Sequence, residues 1–258
     1  MTTLVQTNIR NGVGIIEFTQ PKRFNCLSME VFRQFGAAIK SFEEDTTVGV
    51  VLLCAQGKNF CTGAELDEVI ALRQNAGRLR AFLEQGHAVL NAIEDSHLPV
   101  VAAVQGLCLA GGLEVVMACD VVMAATDARF GDQHAQFGLV PGWGGSARLP
   151  RLVGQRRAMD LMLSARWISA DEAQNWGLIS HVIEPDQLHD QAYSYCHAVT
   201  QRSRTGIALM KRLSSLAARD RLRADLRTET DCVVPVLMGA DATEGLRAFK
   251  ERRTPKFF

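Results

Sequence analysis

Apolar positions near the start of the chain repeat first with the period of a strand and then with that of a helix. Two β-type runs within residues 5–19 flank Asn11-Gly12, a dipeptide that favours a tight type I′ turn and so predicts a hairpin. Ser28 can cap a helix that runs to about Asp45. One face of this helix carries apolar residues at helical spacing: Val31, Phe35, Ala38, Ile39 and Phe42. The chain is therefore predicted to begin with a hairpin and an amphipathic helix.

Longer apolar runs follow in the middle of the chain. The run 48–57 is almost continuously apolar, which is typical of a strand covered on both faces. A second helix is predicted over 74–97, and further strands are predicted over 99–106, 120–126 and 128–132. This alternation of strands and helices predicts an α/β fold.

After Gly145 the strand-like runs give way to amphipathic segments, so the last third of the chain is predicted to be helical. The predicted segments are 155–164, 169–176, 186–202, 204–218, 220–238 and 241–252. No linker rich in glycine, serine or proline separates them from the preceding residues. We therefore expect a repeated β-β-α core over 1–200, followed by a helical C-terminal region over 201–258.

Composition narrows the classes of function. Of the 258 residues, 28 are basic and 28 are acidic, so no overall charge attracts nucleic acid or an anionic membrane. The seven cysteines form no CxxC pair and the N-terminus lacks a targeting composition, so we expect a cytoplasmic protein. The apolar stretch 98–125 is interrupted by glycines and acids, which indicates buried elements of a soluble protein rather than a membrane span.

Two glycine-containing turns, at 59–69 and 106–116, each follow an apolar strand and open a helix. A helix N-terminus presents unpaired N–H groups, and glycine lets another group approach the backbone, so two such turns face to face would form an oxyanion hole. Glu114 lies three residues beyond Gly111, on the same face of an otherwise apolar helix. A buried acid there is paired, hydrated at a pocket or raised in pKa. For either turn alone, close packing of helix on strand is the better explanation of the glycines, and only the combination of the two turns favours a site.

Four motifs occur in a fixed order: FCTGAEL, PVVAAVQGLCLAGGLEVVMACD, RFGDQHAQFGLVPGWGGSARLPRLVG and SADEAQNWGLISHVI. With the early QPKRFNCLS and the terminal AFKERRTPKF, the chain resembles the enoyl-CoA hydratase/isomerase (crotonase) superfamily over nearly its whole length. This resemblance implies a crotonase-like β-β-α superhelix, or spiral, that holds an acyl-CoA site within 1–200. It also implies that region 201–258 takes part in trimerisation. The superfamily hosts several reactions on one scaffold.

The resemblance assigns roles at the two turns. The backbone N–H groups of Ala64 and Gly111 correspond to those that hold the thioester oxygen while an enolate forms. Glu114 corresponds to the first of two catalytic glutamates, which deprotonates the attacking water. The other interpretation of Glu114 is a buried structural acid.

The second glutamate is where this chain departs from the resemblance. Many similar hydratases read Phe-Gly-x-Pro-Glu, whereas this chain reads Phe130-Gly131-Asp132-Gln133-His134. His134 therefore stands where the donor of the α-proton is expected, and an imidazole can donate a proton near neutral pH. A histidine that lines the pocket without transferring a proton is the alternative, and Asp132 is a candidate to orient the ring. Isomerases of the family usually retain the second acid and lack the first, the reverse of the pattern here.

Contacts to coenzyme A are also implied. Lys22 and Arg23 match a basic stretch that meets the phosphates, while Thr62 and Leu66, with Ala64, match the region around the adenine. For each charged residue the alternative is a solvated surface position.

The implied site also includes three residues from later parts of the chain. Phe249 and Arg252 match C-terminal positions that reach the coenzyme A of a neighbouring subunit, with arginine where lysine is common. A solvated surface location is the alternative for both. Trp143 is expected to shape the acyl end of the pocket, or else to be a core aromatic near a turn.

The resulting expectation is an enzyme, an enoyl-CoA hydratase that adds water to a 2-enoyl-CoA, without a metal site or a permanently bound cofactor. Coenzyme A enters as part of the thioester substrate, and a homotrimer or dimer of trimers is implied, with neither nucleic acid nor a membrane as partner. The alternatives are isomerisation, decarboxylation or C–C hydrolysis of an acyl-CoA or carrier-bound acyl group through His134, or a non-catalytic acyl-CoA binder.

Overall fold

The computed structural model describes residues 3–257, with side chains at all of these except residues 216–219. The strands, in chain order, are β1 (Val5–Arg10), β2 (Val13–Phe18), β3 (Val50–Ala55), β4 (Val100–Val104), β5 (Leu107–Leu109), β6 (Val121–Ala125), β7 (Arg129–Gly131), β8 (Ile168–Ser169) and β9 (His181–Ile183). Within the described residues they form a six-stranded sheet in the order β1-β2-β3-β4-β6-β9 and a three-stranded sheet in the order β5-β7-β8.

Helices surround both sheets. They are α1 (Met29–Glu44), α2 (Leu66–Leu72), α3 (Ala76–Asp95), α4 (Gly111–Met117), α5 (Gly145–Val153), α6 (Gln155–Ser164), α7 (Ala170–Asn175), α8 (Leu188–Thr200), α9 (Arg204–Met238) and α10 (Ala240–Glu251). Along the described chain, no helix is both long and apolar enough to cross a membrane.

The predicted hairpin and first helix are confirmed. Strands β1 and β2 pair antiparallel up to Arg10 opposite Val13, and Asn11 and Gly12 both have positive φ, as the type I′ turn requires. The hydroxyl of Ser28 accepts the N–H of Val31, so this residue caps α1 as its sequence position predicted.

The larger sheet is covered on both faces, which explains the apolar runs of the central strands. In β3, Val51 and Leu53 belong to the main core, whereas Val50 and Leu52 belong to a second core together with residues of α8. Successive residues of a strand point to opposite faces, so both sets must be apolar. The predicted strands at 48–57, 99–106, 120–126 and 128–132 are confirmed as β3, β4, β6 and β7.

From β4 to β7, consecutive strands alternate between the two sheets, and this produces the expected β-β-α spiral. Strand β4 lies in the larger sheet, β5 follows in the smaller one and α4 follows β5; β6 and β7 repeat the crossing between sheets. The predicted α/β fold, a β-β-α spiral followed by a helical C-terminal region, is therefore confirmed. The boundary between 1–200 and 201–258 stays a prediction.

Three predictions of secondary structure were wrong in detail. The segments 204–218 and 220–238 form a single helix, α9, because no glycine or proline interrupts the chain between them. The short strands β8 and β9 lie after Gly145, in a part of the chain where only helices were expected. Strand β5 lies within the turn predicted at 106–116, since three residues carry too little periodicity to indicate a strand.

Candidate active site

The two glycine-containing turns pack directly against each other. A Cβ built on Gly63 would lie 3.0 Å from the Cβ of Ala110 and 3.1 Å from the nitrogen of Gly111, and a Cβ on Gly111 would lie 3.2 Å from Cα of Gly63. Glycine at these two positions therefore allows the turns to touch. Among the described residues, no acceptor takes the N–H of Ala64 or Gly111. Both turns line one cavity, which is the arrangement that an oxyanion hole requires.

Ala110 has an unusual backbone conformation immediately before this pair of donors. Its φ of 47° and ψ of −119° lie where L-residues are rare, and it is the N-cap of α4. Strain of this kind costs of order 1–3 kcal/mol and is found mainly at functional sites. Here it sets the direction of the following N–H, that of Gly111.

Glu114 projects from α4 with one oxygen held and the other unpaired. Its side chain is 1% exposed. Oε1 accepts the backbone N–H of Trp143 at 2.7 Å and that of Gly145 at 2.8 Å. Oε2 is buried and has no hydrogen-bond partner among the described residues. An unpaired buried carboxylate oxygen is costly unless a ligand or water meets it, so Oε2 marks a position where a reacting group can bind.

The environment of Glu114 favours its protonated form more than water would. Burial raises the pKa of the carboxyl; His134 lowers it, Glu229 raises it, and the two N–H donors lower it again. The net direction is upward, because removal from water dominates. A carboxylate with a raised pKa is a stronger base, as a general base requires.

His134 lies opposite this oxygen. Its Nε2 is 4.0 Å from Oε2 of Glu114, and its Nδ1 is 3.1 Å from Oδ1 of Asp132. Burial by itself lowers the pKa of the imidazole, but the charge and hydrogen bond of Asp132, with the charge of Glu114, outweigh it and raise the pKa. Asp132 therefore orients the ring and favours the imidazolium, with Nε2–H turned toward Glu114.

A cavity of about 660 Å³ joins these groups. One part of its wall, called here the apolar wall, consists of Phe82, Leu83, Val140, Trp143, Val233 and Leu237. Charged residues at the cavity are Glu65, Asp67, Glu114, His134 and Lys250, and Lys250 pairs with Asp67 at 2.8 Å. The apolar wall therefore carries no charge of its own.

Of the residues expected from the sequence, most line this cavity: Thr62, Ala64, Leu66, Gly111, Glu114, His134, Trp143 and Phe249. Lys22, Arg23 and Arg252 are not among its lining residues. Arg23 instead pairs with Glu65 at 2.5 Å, and Glu65 lines the cavity. Phe249 packs edge-on against Phe137 of the same chain, with ring centroids 5.3 Å apart.

Trp143 combines both interpretations that the sequence allowed. Its ring packs edge-on against Phe32 and Phe82, with centroid distances of 4.7 and 5.1 Å, and is almost fully buried. It also lines the cavity, and its backbone N–H donates to Oε1 of Glu114. It is therefore a core aromatic that also closes part of the pocket.

Sequence reasoning missed two contributors. Glu229, on α9, accepts hydrogen bonds from the same loop that holds Glu114, across 85 positions of sequence. Lys250 lines the cavity, whereas Arg252, which the sequence resemblance implied, does not. Glu229 lies in a polar run of α9, residues 227–231, so its sequence context gave no signal. Nothing in the pattern distinguished Lys250.

A profile of a known family, described as enoyl-CoA hydratase/isomerase, matches residues 8–258. The chain belongs to this family. Similar family members include a probable enoyl-CoA hydratase of Rhizobium meliloti, 35% identical over 99% of this chain and 97% of that protein. The mitochondrial methylglutaconyl-CoA hydratase of Homo sapiens is 32% identical over 95% of this chain and 74% of that protein.

Solved structures of the enoyl-CoA hydratase/isomerase family share the fold. A crystal structure of an enoyl-CoA hydratase from Mycobacterium avium subsp. paratuberculosis superposes with a TM-score of 0.90 at 28% identity, covering 100% of both chains. An enoyl-CoA hydratase/isomerase from Pseudoalteromonas atlantica gives a TM-score of 0.90 at 29% identity, covering 99% of this chain and 100% of that one.

Proposed function

We propose that this protein is an enoyl-CoA hydratase, a hydro-lyase that adds water across the double bond of a 2-enoyl-CoA. The observation that carries this proposal is the unpaired Oε2 of Glu114, which lies 4.0 Å from Nε2 of His134. Both side chains line the same cavity as Ala64 and Gly111, whose backbone N–H groups have no acceptor among the described residues. The protein's membership of the enoyl-CoA hydratase/isomerase family, and the hydratases among its relatives, support the same reaction.

In the first step, Glu114 acts as the general base. Water bound to Oε2 loses a proton to the carboxylate as its oxygen forms a bond to Cβ of the substrate. The electrons of the double bond move toward the thioester, and negative charge builds on its oxygen. The N–H groups of Ala64 and Gly111 stabilise this enolate, since preorganised donors of this kind contribute about 3–4 kcal/mol each.

In the second step, His134 donates the proton that Cα requires. Asp132 favours the imidazolium before the step, so Nε2–H is available as the acid. After the step Glu114 is protonated and His134 is neutral. Transfer of one proton between the two side chains, which are 4.0 Å apart, restores the starting state.

The apolar wall favours a substrate whose acyl tail is a hydrocarbon. Leu83 and Val233 pack beside Gly142, next to Trp143, and offer no hydrogen-bonding group to a tail carboxylate. A charged tail would lose its hydration without a partner, which costs several kcal/mol. At the other end of the cavity, Thr62, Leu66 and Phe249 are proposed to contact coenzyme A, and Lys22, Arg23 and Arg252 its phosphates at the rim.

Incubation of the protein with a panel of acyl-CoA thioesters in heavy water tests the proposal. We expect unsaturated thioesters with apolar tails to gain the mass of water and deuterium at Cα. Loss of carbon dioxide would identify decarboxylation, and deuterium uptake without a mass gain from water would identify isomerisation; either would overturn hydration as the reaction. Tight binding of coenzyme A without any reaction would leave only a binding protein.

Two variants assign the roles. Glu114→Gln should lower kcat by about 100-fold or more, the range for loss of a general base. His134→Ala should lower kcat by at least about tenfold while leaving affinity for coenzyme A near normal. If the His134→Ala variant turns over at the wild-type rate, His134 is not the proton donor.

We also propose that the protein is cytoplasmic, that it binds no permanent cofactor and that it assembles as a homotrimer or dimer of trimers through region 201–258. Its described cysteines are all free thiols, in keeping with a reducing compartment.

A further inference from the structure

A second buried carboxylate lies behind the proposed site. Glu229 projects from α9 and is 6% exposed. Its Oε1 accepts the N–H of Gly144 at 2.6 Å, and its Oε2 accepts the N–H of Ser146 at 3.1 Å and also the Ser146 hydroxyl. The proposed reaction steps do not use this carboxylate.

The two buried acids hold alternate residues of one short segment. Glu114 accepts from Trp143 and Gly145, whereas Glu229 accepts from Gly144 and Ser146. Successive N–H groups of this segment, residues 143–146, therefore point to opposite carboxylates. The orientation of any one of these peptide groups constrains its neighbours, because each peptide unit is planar.

Stability alone does not explain a carboxylate at this position. Burial raises the pKa of Glu229, while its hydrogen bonds to Ser146 and Gly144 and the charge of Arg148 lower it, with a net rise. A buried charge held by good hydrogen bonds is often no more stabilising than an apolar side chain of the same size. What this carboxylate supplies is a fixed orientation of the segment 143–146.

We propose that Glu229 is a positioning residue for the hydration reaction, acting through residues 143–146 to hold Oε1 of Glu114 and so to aim Oε2 at the bound water. This inference rests on the proposed function. Removal of Glu229 frees the N–H groups of Gly144 and Ser146, and the segment then rotates to find new acceptors. Misplacement of a catalytic group by about 1 Å is enough to cost about 100-fold in rate.

Glu229→Gln tests the proposal, because the amide keeps the shape of the side chain but offers one accepting oxygen instead of two. The matched control is Asp231→Asn on the same helix, whose exposed carboxylate pairs with Arg80 at 2.8 Å rather than with residues 143–146. We expect kcat of Glu229→Gln to fall at least about tenfold with KM within about threefold, and kcat of the control to be unchanged. A kcat equal to that of the control would overturn the proposal.

Amide hydrogen exchange gives a readout that does not require turnover. In Glu229→Gln, the amides of Trp143 and Gly145 should exchange at least about tenfold faster, although their acceptor is Glu114 and not Glu229. Faster exchange confined to Gly144 and Ser146 would show a local structural role and overturn the proposal. If the wild-type protein hydrates no thioester, the proposed function fails, while this exchange measurement still decides whether Glu229 positions Glu114.

Ser146→Ala provides a second variant in case Glu229→Gln does not fold. It removes one of the three donors to Glu229 and retains the carboxylate. We expect a smaller fall in kcat, about two- to fivefold, with faster exchange at Gly145. Unchanged kcat and unchanged exchange at Gly145 would contradict the proposal.

Discussion

At the scale of single residues, the contact between Asp132 and His134 is the feature that most distinguishes this site. A backbone φ of 63° at Gln133 turns the chain so that the side chains on either side of it meet. The proposed acid is thus an imidazolium held by a carboxylate. The environment of the ring, rather than its intrinsic chemistry, determines whether it can donate a proton at neutral pH.

Replacement of Asp132 tests this dependence. Asp132 raises the pKa of His134, so Asp132→Asn should lower that pKa, and the imidazolium should deprotonate at a lower pH. Activity that needs the protonated ring should then be lost at a lower pH on the alkaline side of the profile. Measurement of kcat against pH for both proteins checks this shift. An unmoved alkaline limb would indicate that His134 is not the acid.

His87 is predicted to make stability depend on pH. Burial, with Arg148 and Arg223 nearby, lowers its pKa from 6.5 to about 4. The unfolded chain therefore binds a proton that the folded one does not, so stability is complete above about pH 6.5 and falls as the pH drops toward 4. The free energy of unfolding is predicted to fall by about 2–3 kcal/mol over this range, because each pKa unit corresponds to about 1.4 kcal/mol.

Urea unfolding of wild type and His87→Gln at the same protein concentration isolates this contribution. The buried carboxyl groups respond to pH in both proteins, so only the difference between the two curves reports on His87. That difference should change by about 2–3 kcal/mol between neutral pH and about pH 4.5. Parallel curves would exclude the predicted role.

Sequence patterns located some of these residues and could not locate others. Glu114 was identifiable because an acid within an apolar helix, directly after two glycines, needs a special explanation. Its two N–H partners and Glu229 were not, because the contacts join segments 29 to 85 positions apart and no local periodicity encodes them. Hydrophobic pattern reports burial; it does not report which buried polar groups meet.

At the scale of elements, α9 contributes to the site in two ways. It supplies Glu229 behind the loop and Val233 and Leu237 to the apolar wall, so one helix helps to position the proposed base and to limit the acyl tail. The sequence predicted helical structure here but divided it into two segments. No residue of very low helix propensity lies between the two segments, so the sequence is consistent with one continuous helix.

Replacement of a large side chain of the apolar wall by a small one should change the preference for acyl-chain length. Leu237→Ala removes a buried side chain from the cavity and should raise kcat/KM for a longer acyl tail relative to a shorter one by about tenfold, the low end of the effect of one methylene. Val236→Ala, at an exposed position of the same helix, is the matched control. Competition between two thioesters of different length measures the ratio directly, and equal ratios in all three proteins would remove Leu237 from the acyl site.

At the scale of the whole molecule, the exposed apolar residues of α9 suggest how copies of the chain associate. Leu209, Met210 and Leu213 are 51%, 65% and 58% exposed in the single chain. They lie close together on the helix, since positions three and four apart share a face. Exposed apolar clusters of this kind commonly mark protein–protein contacts, and they lie within the region predicted to form the trimer.

Sedimentation equilibrium should therefore give a mass of three or six copies of the 28.3 kDa chain. Leu213→Glu places a charge within the cluster and should shift the protein toward smaller species, because burial of an unpaired charge costs several kcal/mol. Ile9→Glu, at an exposed apolar position on β1 outside region 201–258, should leave the mass unchanged. If the wild-type protein is a monomer, or if both variants dissociate equally, α9 does not carry the predicted trimer contact.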